Sequence, residues 1–333
     1  MRRLPRRALS TACLALAVPA RAQGRGEEGG YPAAPVTLVA PFAAGGAADL
    51  AARTLARFAP RHLPNPGAGM VVENRAGASG ALGTQHVARA APDGQTLLLA
   101  RVSAAAILPA LDPRTPYAWD GFTMLGLLDE NPFVVCVRAD APWRSFATLL
   151  AALREQPGGL SFATTGPATL LDLGVRHIFA TAGLPLDAGV AKPYRGGGEA
   201  VAALVAGEVD FLGNNLSDTI GAIRGGQLRA LVVGLRRERH ALLPQVPSAR
   251  EVEFEALAEV TGWNALYAPP GLAAPAQAAW VAAIAALRGD AGWMAATRAV
   301  GSYPRLLPPE ETRDYVRAQV ALYHDLGRRL GLI

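Results

Sequence analysis

Short apolar runs alternate along this chain with stretches in which apolar residues return every three or four positions. That is the pattern of strands followed by amphipathic helices. Val36–Pro41, Met70–Glu73, Thr96–Ala100, Phe133–Val137, Leu160–Ala163, Val190–Pro193, Val209–Leu212 and Leu228–Val233 read as strands. Ala47–Phe58, Leu82–Arg89, Phe146–Glu155, Leu170–Ala182 and Glu199–Ala206 read as the helices between them. The alternation predicts an α/β fold with largely parallel sheets. A last helix is expected over Pro309–Leu330, where Val316, Val320, Tyr323 and Leu330 share a face behind the acid-rich start "PPEE".

Two stretches interrupt this rhythm. "LLDENPFVVCVRADAPW", Leu127–Trp143, leads from the first βα block into a second with its own helix and glycine turn, and "LPQVPSAREVEFEALAEVTGW", Leu243–Trp263, returns to another apolar run. A chain that leaves one body, builds a second and comes back makes two lobes with a cleft between them, where ligands commonly bind. The expected division is 23–127 with 251–333 as lobe 1 and 128–250 as lobe 2.

The first residues change the charge picture. "MRRLPRRALSTACLALAVPARAQ" has early arginines, a short apolar run and Ala20-Arg21-Ala22, the form of an export signal cleaved near Ala22. Residues 1–22 are therefore read as a signal peptide and the mature chain as periplasmic. Arg6-Arg7 matches only the first pair of a twin-arginine signal, so ordinary secretion is the simpler reading. Cys13 lies within the apolar run, without the leucine of a lipidation site. The formal charge of +5 falls to zero without the five arginines up to Arg21. A near-neutral chain with few aromatics has no basic stripe for nucleic acid. Only Cys136 is left, so no internal disulfide is expected.

Several chemistries lack their residues. His62, His86, His177, His240 and His324 are scattered, so no metal site is expected. "GASG" at Gly77–Gly80 is too tight for a nucleophile elbow, and Lys192, the one lysine, stands outside any phosphate loop. No catalytic residue and no cofactor are assigned.

The glycine turns are the chemistry that remains. "PFAAGGAADL" runs from strand through Phe42, Ala44, Gly45 and Gly46 to a helix start with Asp49. Free N–H groups and the helix dipole suit such a terminus to an anion, but two glycines also serve merely to turn the chain, with Asp49 offsetting the dipole. "FATTGPATLLD" repeats the device with Thr164, Gly166 and Thr169, where Thr169 is either an anion contact or an ordinary N-cap. "VDFLGNNLSD" sets Asn214 and Asn215 past a strand's carboxyl end, as ligand groups or as turn formers. "KPYRGGGEA" is a third strand-to-helix turn, its bland reading leaving Arg195 in solvent.

Taken together and in order, "YPAAPVTLVAPFAAGGAAD", "VVENRAGASGALGTQHVARAAPDGQTLLL", "KPYRGGGEAVAALVAGEVDF" and "LYAPPGLAAP" resemble the Bug-type extracytoplasmic solute receptors of tripartite tricarboxylate transporters over nearly the whole mature chain. The resemblance implies a two-lobed periplasmic-binding-protein fold (Venus flytrap, type II) with a ligand cleft between the lobes. It also implies a bound carboxylate lying across Phe42, Ala44, Gly45, Gly46 and Asp49 on one side and Thr164, Gly166 and Thr169 on the other. The implied partners are a small carboxylate (a di- or tricarboxylate, an aromatic acid or an acidic amino acid) and the membrane subunits of the transporter, with the receptor a monomer. A receptor docking on a sensor protein, or a secreted enzyme acting on a carboxylic acid, are the alternatives. Three positions depart from the family pattern: Ala168 stands for a glycine, Thr169 for serine and Asp172 for histidine. Asp172 either shifts specificity toward an ammonium-bearing ligand or points away from the cleft.

Overall fold

The computed structural model describes residues 30–333, so the expected signal peptide, Cys13 and the first residues of lobe 1 lie outside it. The first half of the described chain runs β1 (Val36–Ala40), α1 (Ala47–Phe58), β2 (Met70–Asn74), α2 (Ala81–Ala88), β3 (Thr96–Arg101), α3 (Leu108–Leu111), β4 (Thr123–Arg138), α4 (Phe146–Glu155), β5 (Leu160–Thr164) and α5 (Leu170–Thr181). There follow β6 (Gly189–Pro193), α6 (Gly197–Ala206), β7 (Phe211–Asn215), α7 (Leu216–Arg224), β8 (Leu228–Val233), β9 (Thr261–Ala268), α8 (Ala274–Leu287), α9 (Ala291–Ala299), β10 (Tyr303–Leu307) and α10 (Pro309–Arg329).

The strands are linked in the order β2-β1-β3-β9-β4-β7-β5-β6, with β8 and β10 also on β4. The outer pairs, β1 with β2 and β3 and β5 with β6 and β7, are parallel. Every pairing of β4, and that of β3 with β9, is antiparallel. The expectation of largely parallel sheets therefore holds only for the flanks. The middle is antiparallel because the chain goes out along β4 and comes back along β9.

The larger departure is β4 itself. The stretch expected to open a crossing at Leu127 lies inside one strand of 16 residues, whose first part pairs with β9 and whose second part pairs with β7. Three polar residues precede the proline in "LLDENPF", and each finds a partner inside the fold. Asp129 accepts two hydrogen bonds from Asn264 Nδ2 (2.8 and 3.0 Å), and Glu130 accepts from Arg305 (2.5 Å) and Tyr315 (2.8 Å). Asn131 Nδ2 donates to Ser217 Oγ at 2.6 Å and Ser302 Oγ at 2.7 Å. Buried polar groups with partners do not force a chain out to solvent.

Helix α1 forms where expected, with Ala48, Ala52 and Leu55 buried along one face against the sheet. Full burial of a side chain such as Leu55 contributes about 1.5–3 kcal/mol. On the same layer Trp280 of α8 is fully buried and donates its indole N–H to Tyr31. The closing helix α10 buries Val316 and Tyr323, as its periodicity predicts. Cys136 is a free, buried residue of β4.

Candidate functional site

Strand β1 ends at Ala40, and the chain turns through Pro41–Gly46 into α1. Gly45 takes a positive φ of 82°, a conformation open to glycine at little cost, and Gly46 is the extended N-cap. Asp49 folds back on this turn. Its Oδ2 accepts from Gly45 N–H at 3.0 Å and from Arg53 Nε at 2.9 Å. Burial alone would raise its carboxyl, but hydrogen bonds from Arg53, Gly45 and Asn74 outweigh it and hold Asp49 below the usual carboxylate range. Asp49 thus braces the turn from behind. Ala44 and Gly45 are exposed, whereas Phe42 and Gly46 line the space between the two halves of the sheet.

The second turn follows β5. Gly166 has a φ of 107° and Ala168 a φ of 55°. The departure from glycine at 168 therefore falls on a left-handed residue, which costs an alanine roughly 1–2 kcal/mol. Thr164 and Thr169 are both buried, and both hydroxyls donate to Gly166 O, at 3.2 and 2.7 Å. They hold the turn in shape rather than facing the cleft. Thr165, on the other face of the strand's end, lines the cleft. Asn214 and Asn215 are the last residues of β7, not past its end, and α7 starts at the next residue. Asn214 donates to Gly197 O at 3.3 Å, and Asn215 Nδ2 reaches Asp218 Oδ2 at 3.4 Å. Asp172 pairs with Arg176 one turn along α5, at 3.0 Å, and Arg176 also donates to Leu186 O. Neither Asp172 nor Arg176 is among the residues that line the spaces between the turns.

The turns meet. A Cβ on Gly198, at the start of α6, would sit 2.8 Å from Gly45 O, and one on Gly46 would sit 3.2 Å from Gly198 N. The "RGGG" turn is thus the direct counterface of the first glycine turn, its glycines allowing the backbones so close, while Arg195 is itself exposed. Three further bonds cross the gap: Ala47 N–H to Asp218 Oδ1 (2.5 Å), Leu170 N–H to Ser103 Oγ (3.0 Å) and Ser79 Oγ to Pro167 O (2.8 Å). Ser103 opens a single π-helical turn, Ser103–Ile107, a local distortion frequent at functional sites. Ala78 and Ser79 have φ of 47° and 56°, between Gly77 and Gly80, which are also positive. Strain of this kind concentrates where a loop must approach something closely.

Two spaces lie between the turns, with Phe42 and Thr165 in the walls of both. The inner one, about 20 Å³, is lined by Phe42, Gly46, Arg101, Thr165, Gly197 and Asp218 among others, and is roughly the room of one water molecule. The outer one is a chamber of about 830 Å³ bounded by Phe42, Gly77–Gly80, Thr165–Pro167 and Tyr194–Arg195 with Glu199. A second large pocket, about 720 Å³, lies behind α4 and β8 and shares no residue with either space.

Arg101 and Asp218 are the charged residues of the inner space. Arg101 ends the apolar strand "TLLLAR", is 5% exposed and donates to Asn264 Oδ1 at 2.8 Å. Burial lowers its pKa, Asp218 and Asp129 oppose that, and the guanidinium remains a cation. Burial raises Asp218 against the pull of Arg101 and the Ala47 N–H, and raises Asp129 to about 6 against Asn264 and Arg101. Neither Arg101, Ser103 nor Asp218 stands out in the sequence as a site residue. The available signal was an arginine closing an otherwise apolar strand at the edge where such sheets bind ligands. Among the described residues no group of three or more His, Cys, Asp or Glu side chains is placed to hold a metal ion, and no helix is long and apolar enough to cross a membrane.

Residues 51–278 match the family model described as "Tripartite tricarboxylate transporter family receptor". Protein BugT of Bordetella pertussis (strain Tohama I) is 31% identical over 306 residues, covering 90% of this chain and 90% of BugT. Among solved structures, the periplasmic binding protein BugD is 28% identical with a TM-score of 0.84, over 91% of this chain and 99% of BugD. MatC from Rhodopseudomonas palustris, solved with bound malate, is 28% identical with a TM-score of 0.81, over 89% of this chain and 99% of MatC. The same two-lobed periplasmic-binding-protein architecture is common to them.

Proposed function

The chain belongs to the tripartite tricarboxylate transporter family of receptors, and from that premise we propose that it works in the periplasm, closing two lobes on a small carboxylate and presenting it to the membrane subunits of a transporter. One observation carries this reading. Two glycine turns on opposite sides of a cleft, each opening a helix, approach to backbone contact beside a chamber of about 830 Å³. Helix starts supply unpaired N–H groups and a positive dipole end, which together favour an anion. The malate bound by MatC is an acid of the expected class.

The lobes in this reading are roughly 23–127 with 251–333, and 128–250, turning about the stretch where β4 and β9 run between the two halves of the sheet. Asn131 and Gly262 face each other there in register. A ligand shifts the molecule toward the closed form by the contacts it makes only in that form. Phe42, Gly46, Thr165 and Gly166 are the wall residues that reach it. Thr164, Thr169, Asp49 and Asn214 shape the turns behind them, and Asn215 steadies Asp218. The chain is exported by cleavage near Ala22 and acts as a monomer, without catalytic chemistry of its own.

The test is to purify the mature chain, release and identify any bound small molecule by mass spectrometry, and measure thermal shifts with a panel of mono-, di- and tricarboxylates, aromatic acids and amino acids. A ligand at a hundred times its Kd stabilises by about 2.7 kcal/mol, a shift that thermal unfolding resolves. A protein that carries no acid and is shifted by none of the panel is not such a receptor.

A further inference from the structure

The anion site at the start of α1 already holds a carboxylate, and it belongs to the chain. Asp218 reaches across the cleft from α7, and its Oδ1 accepts the Ala47 N–H at 2.5 Å. The same carboxylate lies against the backbone of Gly197 at the start of α6, in a gap that a Cβ at 197 would fill. Two helix starts, α1 and α6, therefore converge on it, with Arg101 in the wall of the same space. Asn215 Nδ2 supports the other oxygen at 3.4 Å. The inner space left beside it is about 20 Å³, less than a second carboxylate needs.

We propose that Asp218 sets which ligands this receptor takes: it fills the inner anion position, so the captured acid carries its carboxylate in the outer chamber and presents a neutral or ammonium group to the inner end. This rests on the carboxylate-receptor reading and narrows it from acids in general to monocarboxylates with an uncharged or cationic far end. Charge supports the choice. Arg101 and Asp218, the charged residues of the inner space, offset one another, so a further anion there finds no unmatched cation, whereas an ammonium group or an amide N–H meets the carboxyl oxygens of Asp218 as acceptors. The outer chamber offers Arg195, which has no ion-pair partner among the described residues; Glu199 beside it is turned to the Arg195 backbone N–H at 3.1 Å.

Adipate, its monoamide and 6-aminohexanoate share one chain length and differ only at one end, which makes them the probes. Their affinities are measured by calorimetry on the mature wild-type protein and on Asp218→Asn, which keeps the shape and the acceptor for Ala47 N–H while removing the charge, with Asp218→Ser as a second variant. The wild-type protein should bind the monoamide or 6-aminohexanoate at least tenfold more tightly than adipate, and Asp218→Asn should shift that ratio toward adipate by at least tenfold. Wild-type protein that prefers adipate, or a ratio unmoved in both variants, overturns the assignment of Asp218 while leaving the carboxylate receptor standing. Should neither variant fold, the wild-type ratio alone decides. If no acid of any kind binds the wild-type protein or the variants, the receptor reading itself fails and this inference with it.

Discussion

Gly198→Ala is a wedge between the two halves of the molecule. Gly198 lies in the first turn of α6 without a positive φ, so an alanine fits its own helix and even favours it. The obstacle is across the cleft, where the new Cβ would stand 2.8 Å from Gly45 O and 3.1 Å from Gly45 C. An ordinary contact begins near 3.4 Å, so closure must stop about 0.6 Å short, and the neighbour is backbone that cannot swing aside. Overpacking of this kind costs about 1–3 kcal/mol. On the proposed hinge closure the whole cost falls on the closed form, since the new Cβ meets Gly45 only where the two turns touch. At about 1.4 kcal/mol per tenfold, ligand affinity should drop roughly 5- to 150-fold while the unfolding temperature of the ligand-free protein holds or rises slightly. Calorimetric titration with the tightest-binding acid gives the first quantity and thermal unfolding the second. Gly221→Ala, a glycine in the middle of α7 with nothing near its Cβ, is the control. Unchanged affinity in Gly198→Ala would mean that the bound form does not bring α6 onto the first glycine turn, and the closure argument would fail. A fall in unfolding temperature matched by the fall in affinity would instead make Gly198 a purely structural glycine.

Three other outcomes follow from the same geometry. Gly221→Ala itself should raise stability by about 0.5–1 kcal/mol, since an exposed mid-helix glycine costs that much against alanine; chemical denaturation that shows no gain refutes this. Asp129 is held at about 6 by burial, above its unfolded value, so the folded state binds that proton more tightly and this group's contribution to stability is lost as pH rises from about 4 to about 6. Unfolding temperature compared at pH 4.5 and pH 7 should therefore fall more in the wild-type protein than in Asp129→Asn, and parallel profiles would contradict it. Asp172→Asn should leave ligand preference within about twofold, because Asp172 is paired with Arg176 and lines neither space between the turns; a changed preference between acids and amino acids would put Asp172 in the cleft.

How much of this was legible in the sequence depended on whether the information was local. Helix α1 could be read to the residue because its apolar spacing and glycine start are contained within twelve positions. The flanking βα units were legible for the same reason. β4 was not, since whether Asp129, Glu130 and Asn131 belong to a loop or a strand is decided by Asn264, Tyr315 and Ser302, all more than 100 residues away. The site divided along the same line. Phe42, Gly46 and Gly166 could be named from their turns, but a threonine's direction is a matter of one residue, and Thr165 rather than Thr164 faces the cleft. Asp218 was beyond reach, because its partner, Ala47, comes 171 residues earlier.

The unbroken run of β4 has a consequence for how the molecule can be divided. A hydrophobic cluster continues along it through both halves, joining Leu98 and Tyr267 on one side to Phe162 and Phe211 on the other. Either half taken alone would inherit a fragment of that strand with one end of its ladder bare and one end of its apolar face uncovered. The two halves therefore share a spine, and neither is a module that could be cut out, swapped or inherited without the other.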